Sequence, residues 1–158
     1  MRKRPVLFAT LAVVVVGTAG AASVFLVGSK QRHDDRAAYL AYERAILAPL
    51  GVVRAVAGEM RTGSTRANEA ARWSADLARA RATLIGLEPP SFLKDAGVMW
   101  VAAVDAYNHV AAMIATSPPG SQSGLLRHAD DLFDRAARLM SFHRSRLGLG
   151  RSTAPELG

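Results

Sequence analysis

The clearest helical pattern in the chain lies at residues 70–90, AARWSADLARARATLIGLEPP. Its apolar side chains alternate between spacings of three and four residues, the heptad pattern that buries one side of an α-helix. This seam consists of Ala70, Trp73, Leu77, Ala80, Leu84 and Leu87. Gly86 and the pair Pro89 and Pro90 end the pattern, because glycine and proline disfavour a helix interior. We therefore predict an amphipathic helix B whose seam is covered by other elements.

A similar stripe precedes helix B and predicts a helix A. Asp34 or Asp35 can cap its start, and Pro49 and Gly51 predict a kink or a short break near Ala48. The stripe continues in register across that point. Its members are Tyr39, Tyr42, Ile46, Leu50, Val53, Ala57 and Met60.

Two further helices, C and D, follow the prolines. Helix C, from Ser91, carries two adjacent seams, which predict contact with more than one neighbour. The seams are Phe92, Ala96, Met99, Ala103, Ala106, Val110 and Met113, and Leu93, Gly97, Trp100, Val104, Tyr107, Ala111 and Ile114. Helix D begins near Ser123 and ends before Gly148. Its stripe is Leu126, Ala129, Phe133, Ala136, Met140, His143 and Leu147.

The connections between these segments are short and rich in turn residues. RTGSTR at residues 61–66 and SPPGS at residues 117–121 predict loops, and the polar tail at residues 151–158 is predicted to be disordered. The fold class is therefore all-α, an antiparallel up-down four-helix bundle at residues 30–150. In that topology the start of helix A, the turn at Pro89 and Pro90, and the end of helix D share one end.

Residues 1–29 predict a segment directed to a membrane. No charged residue occurs at residues 6–27, and this length of helix covers about 33 Å, the thickness of a bilayer's hydrocarbon core. The preferred interpretation is a retained transmembrane signal-anchor, because the apolar run continues through Val27. The alternative is a signal peptide cleaved near Ala21 or Ala22, which releases a secreted domain.

Both interpretations place the bundle outside the cytoplasmic membrane. Arg2, Lys3 and Arg4 precede the apolar segment without acidic neighbours, whereas residues 30–36 mix three basic and two acidic side chains. The first group is therefore expected to stay in the cytoplasm, which makes the protein single-pass with its N-terminus inside.

The charge of the chain does not indicate a nucleic-acid-binding protein. Of the net charge of +7, Arg2, Lys3 and Arg4 contribute three, which leaves 17 basic and 13 acidic residues in the rest of the chain. The arginines of helix B are interleaved with Glu69 and Asp76, the pattern of a solvated face. Without cysteine the domain has no disulfide or thiolate site, so packing must hold it together.

The four histidines are the candidate sites of chemistry. His33 lies in the segment after the apolar run, and His109 follows Asp105 by one helical turn on the polar side of helix C. His128 and Asp131 supply two potential metal ligands, but the sequence indicates no third. His143 falls on the inward stripe of helix D one turn after Met140, and we interpret it as a partly buried residue near the bundle end. No metal, cofactor or catalytic function is predicted.

Several sequence features together carry a resemblance to a group of known proteins. They are Trp73 with Leu77, the Leu-Glu-Pro-Pro turn at residues 87–90, and the alanine-rich helix with Tyr107, all following a basic start and an apolar segment. The chain resembles uncharacterised membrane-anchored or secreted helical-bundle proteins of actinobacteria. This resemblance implies an exported bundle and assigns no functional residues.

The leading functional hypothesis is a membrane-anchored accessory or structural protein that binds another envelope or membrane protein. The second is a bundle that binds or senses a small ligand in an apolar cavity between alanine-rich helices. A basic collar is predicted at the membrane-proximal end of the bundle, where it contacts lipid headgroups or an acidic partner, or serves only as a solubilising rim beside the anchor. Its members are Lys30, Arg32, Arg36, Lys94, Arg144, Arg146 and Arg151.

Overall fold

In a computed structural model, the described backbone comprises residues 6–62, 67–116 and 122–150. Side chains are described for residues 30–62, 69–116 and 122–150. Four α-helices account for most of these residues: α1 (Val6–Arg61), α2 (Ala67–Gly86), α3 (Lys94–Thr116) and α4 (Ser123–Arg146). A short 3-10 helix, Ser91–Leu93, precedes α3, and no strand occurs in these ranges. The predicted all-α class is confirmed.

The chain divides into two compact units, Met1–Ala37 and Ala38–Gly158. In the first unit the backbone is helical from Val6 onward. The side chains of residues 6–29 lie outside the described part, so the membrane-span prediction is not tested there. The second unit contains the remainder of α1 together with α2, α3 and α4.

Contacts between helices in the second unit define an antiparallel ring. Glu43 of α1 pairs with Arg144 near the end of α4, whereas Arg61, at the end of α1, pairs with Asp130 near the start of α4. Helix α2 packs against α3, and α3 packs against α4. Each helix therefore neighbours the next along the chain, and α4 returns to α1.

The core is built mainly from the predicted stripes. Every named position of helix A is buried, and five of the six seam positions of helix B are buried, with Leu87 half-buried. The largest fully buried side chains include Trp73, Trp100, Tyr39, Tyr107 and Phe133. Trp100 meets Phe133 edge to face, with ring centroids 4.7 Å apart. The sequence patterns thus identified the packing faces correctly.

Of the kink or short break expected near Ala48, the break is wrong, and so is the helix start capped by Asp34 or Asp35, because α1 is continuous from Val6 to Arg61. Helix α1 continues through Pro49, and Ile46, Leu50 and Val53 on both sides of the proline are buried. A proline inside a helix removes one backbone hydrogen bond, but the apolar stripe in register across it keeps both halves packed on the same core.

Helix α3 is the central apolar element. In the part of the chain with described side chains, Ser91–Thr116 is the only helical stretch long and apolar enough to cross a membrane by length and composition. Trp100, Val104 and Tyr107 within it are buried. Its apolar character is that of a core helix with two packing faces, as the paired seams predicted.

Candidate functional site

The least exposed ion pair of the described residues joins α1 to α4. Nη1 of Arg144 donates to both carboxylate oxygens of Glu43, at 2.6 and 2.5 Å, and the two side chains are only 12% and 5% exposed. The Tyr39 hydroxyl donates to the carbonyl oxygen of Met140 at 3.0 Å and lies 3.4 Å from Glu43 Oε1. Burial and the Glu43 charge raise the pKa of Tyr39 to about 12. The phenol therefore stays neutral and acts as a hydrogen-bond donor.

A second polar cluster lies toward the other end of the same two helices. The Tyr107 hydroxyl donates to Asp130 Oδ1 at 2.6 Å, and Nη2 of Arg61 donates to the same oxygen at 2.5 Å. Burial, followed by the hydrogen bond to Asp130, raises the pKa of Tyr107 above its ordinary value. This cluster ties α3, α4 and α1 together.

A third cluster joins α1 to α2. Trp73 Nε1 donates to Glu59 Oε2 at 2.6 Å, and Arg72 pairs with the same carboxylate. The Trp73 hydrogen bond, followed by the Arg72 hydrogen bond, lowers the pKa of Glu59. Glu59 thereby satisfies the polar atom of a fully buried indole at the edge of the core.

His143 lies among aromatic rings at one end of the bundle. Its ring centroid is 5.6 Å from that of Phe92 and 5.3 Å from that of Phe142. The side chain is half-buried, as the sequence predicted. Burial, and then the charge of Arg146, lower the pKa of His143.

The chain after α4 folds back against this end. Gly148 adopts φ 63°, its N–H donates to Ser145 O, and Leu149 N–H donates to Arg144 O. This pair of bonds is the Schellman arrangement that closes many helices. Arg144 Nε also donates to the carbonyl oxygen of Gly150 at 2.5 Å. Arg144 therefore binds both α1, through Glu43, and the chain that follows α4, through Gly150.

These contacts change the role assigned to Arg144 in the predicted collar. Phe92 contacts His143, so the 3-10 helix and the end of α4 share one end of the bundle, together with Lys94, Arg144 and Arg146. Arg144 is bound to Glu43 there, whereas Lys94 and Arg146 are exposed. Of the other predicted members, Lys30, Arg32 and Arg36 are exposed in the first unit, and Arg151 lies outside the described residues.

The remaining histidine candidates are all exposed. His33, His109 and His128 are solvent-accessible, as is Asp131 beside His128. Among the described residues, no group of three or more His, Cys, Asp or Glu is placed to hold a metal ion.

Sequence reasoning missed Glu43 and Asp130, the two carboxylates at the centres of the clusters that join α1 to α4. Glu43 lies one turn after Tyr39 and three residues before Ile46, so its place beside the apolar stripe was a usable signal. Asp130 follows Ala129 of the helix D stripe but had no comparable signal, because its partners belong to other helices.

Comparison of the chain with protein-family models, with curated proteins and with solved structures finds no match.

Proposed function

We propose that the chain is a membrane-anchored extracytoplasmic accessory protein without catalytic activity, whose bundle binds another protein of the cell envelope. The uncharged stretch at residues 6–27 supports the anchor, because a helix of that length fits a bilayer. The preceding Arg2, Lys3 and Arg4 support an N-terminus in the cytoplasm.

The observation that carries this proposal is how the bundle uses the polar groups that bridge its helices. Glu43 with Arg144, Asp130 with Tyr107, and Glu59 with Trp73 each join two helices. These groups therefore maintain the bundle, and partner binding is assigned to its outer surface. Among the side chains that the structure describes, each helix also exposes one large apolar residue, namely Val52, Ile85, Val98 and Phe142.

A small-ligand-binding bundle is the second candidate function. Trp100 Nε1 and Asn108 Oδ1, both on α3, are buried without a hydrogen-bond partner among the described residues. A buried polar atom of this kind gains free energy when a ligand supplies its hydrogen bond. Trp100 lies in the core against Phe133, so a ligand there would have to enter between α3 and α4.

Affinity purification of the full chain from detergent-solubilised membranes tests both candidates. A protein partner recovered in fixed stoichiometry supports the accessory function, and a small molecule released on denaturation supports the second candidate. Recovery of the chain alone contradicts both. N-terminal sequencing of the purified chain distinguishes the retained anchor from cleavage near Ala21 or Ala22.

A further inference from the structure

The outward side of α4 is a basic face with one exposed aromatic ring. Its residues, which we call the α4 outer face, are Arg127, Asp131, Arg135, Arg138, Phe142 and Arg146. All six are exposed and recur at spacings of three or four residues, so they lie on one side of the helix. Phe142 is 55% exposed, and the Arg146 guanidinium lies 5.7 Å from its ring centroid. At helical rise the face is about 28 Å long.

Five arginines outside this face are ion-paired. Arg61, Arg72, Arg79, Arg81 and Arg144 each form an ion pair with a carboxylate. None of the four arginines of the α4 outer face does so with a carboxylate in the described ranges. Two nearby carboxylates of α4 have other surroundings: Asp130 binds Arg61 and Tyr107, and Asp134 is half-buried. Positive charge on this face is therefore not neutralised by ion pairs within the bundle.

We infer that the α4 outer face is the docking surface for the partner protein, and that the partner presents an acidic surface with an apolar recess for Phe142. This inference rests on the proposed function and adds the site and the partner's chemistry. Arginine binds carboxylates through two parallel hydrogen bonds, and arginine and aromatic side chains are enriched at the centres of protein interfaces.

Phe142 favours a protein over an anionic lipid surface as the occupant, because an exposed aromatic ring beside an arginine is typical of the centre of a protein interface.

The test uses the full chain in phosphatidylcholine nanodiscs. Its probes are a labelled helical peptide of about 20 residues with glutamate along one face, the same peptide with glutamine, and phosphatidylglycerol vesicles. One variant reverses charge on the face, Arg135→Glu with Arg138→Glu. A matched control, Arg79→Glu with Arg81→Glu, changes the net charge equally on α2. Phe142→Ala removes the ring, with Val98→Ala, another exposed apolar residue, as its control.

We expect the acidic peptide to bind, with an affinity that falls as salt rises, and the glutamine peptide to bind at least about tenfold more weakly. The α4 reversal should weaken binding at least about tenfold and Phe142→Ala about threefold, while both controls stay within about twofold. Equal losses in the two charge reversals would show a bulk charge effect and overturn the inference. Capture by vesicles that depends on α4 and exceeds peptide binding would also overturn it, in favour of lipid.

The two proposals fail separately. If a stoichiometric protein co-purifies equally well with wild type and with the α4 reversal, the accessory function stands and this docking surface is wrong. If no protein co-purifies with the wild-type chain, the accessory function fails, whatever the peptide measurement shows.

Discussion

Glu43 and Arg144 illustrate how strongly the stability of the bundle depends on one pair of side chains. A buried charge is stable only when its partner remains, because the low-dielectric interior cannot replace the lost hydration. Here the partner comes from a helix separated by 101 residues in sequence. In the sequence alone, Arg144 is one of several basic residues at the end of helix D. It was therefore predicted to belong to the basic collar that faces the membrane. The spacing of residues within one helix does not show which side chains a neighbouring helix places beside it.

Replacing Arg144 with methionine should leave the Glu43 carboxylate buried without its cation. We expect Arg144→Met to lower the free energy of unfolding by about 3–5 kcal/mol, measured by urea unfolding of a chain that begins at Gln31. Arg79→Met provides the control, because Arg79 is 76% exposed in its pair with Asp76. Its cost should stay below about 1 kcal/mol. Similar costs for the two variants would contradict the structural role of Arg144.

His143 predicts a dependence of stability on pH. Its pKa in the folded state lies below the ordinary 6.5, first because of burial and then because of Arg146, with Asp95 opposing. The unfolded chain therefore takes up a proton at a higher pH than the folded chain does. The contribution to stability is present above the ordinary pKa and is lost as pH falls through the folded-state value.

The urea concentration at the unfolding midpoint should accordingly decrease as the pH is lowered from about 7.5 to about 5. We expect a smaller fall for His143→Gln, which cannot be protonated in this range. His109→Gln is the control, since His109 is exposed on α3, and it should follow the wild-type curve. Parallel curves for wild type and His143→Gln would refute the assignment.

At the scale of elements, helical periodicity was sufficient to identify four packing faces, since a seam such as Ala70 to Leu84 can be buried in only one orientation. Exact helix ends were less predictable. The segment expected to start a helix at Ser91 begins instead with a 3-10 turn, where Leu93 N–H donates to Pro90 O. Backbone bonds at an end depend on local turn geometry that side-chain periodicity does not contain.

The end of α4 allows a direct test of such a turn. Gly148 has a φ of 63°, a conformation that costs a residue with a Cβ about 1–2 kcal/mol. We expect Gly148→Ala to lower the free energy of unfolding by about that amount. Gly124→Ala, at an exposed position of α4 with open space around it, should be neutral or stabilising by up to about 1 kcal/mol. A loss of stability in both variants would contradict the assigned cause.

Helix α3 also approaches its neighbours closely at one glycine. A Cβ atom on residue 97 would lie 3.0 Å from Pro89 Cγ and 3.2 Å from the Tyr42 hydroxyl oxygen. Gly97→Ala should therefore cost about 1–3 kcal/mol through displacement of the turn. Gly51→Ala, which meets no atom within 4 Å, should instead stabilise α1 by about 0.5–1 kcal/mol. Urea unfolding compares the two, and a stabilised Gly97→Ala variant would show that Pro89 does not resist displacement.

At the scale of the molecule, the short connections and four stripes predicted the antiparallel arrangement because each helix has to return beside its predecessor. The sequence did not predict which polar side chains bridge the helices. The ion pairs of Arg61 with Asp130 and of Glu43 with Arg144 depend on the axial position of α4 relative to α1. Packing across the whole core determines that position.

The bundle should fold without the apolar N-terminal segment. We expect a chain beginning at Gln31 to be soluble, predominantly helical by circular dichroism and cooperative in unfolding, because its four apolar faces cover one another. Phe133→Ala should cost about 3–5 kcal/mol in that chain, whereas His109→Ala should cost less than about 0.5 kcal/mol. Little helical signal, or equal effects of the two substitutions, would contradict the fold.

The pairing of Glu43 with Arg144 also has a consequence for the order of events during synthesis. Translation supplies α1 long before α4, so a nascent chain that ends before residue 144 carries a carboxylate without its cation and an apolar stripe without its last neighbour. Local helices can form early, but closure of the bundle waits for nearly the whole domain to emerge. Until then the unfinished domain exposes apolar surface, and a chain truncated within α4 would be a substrate for chaperones and proteases.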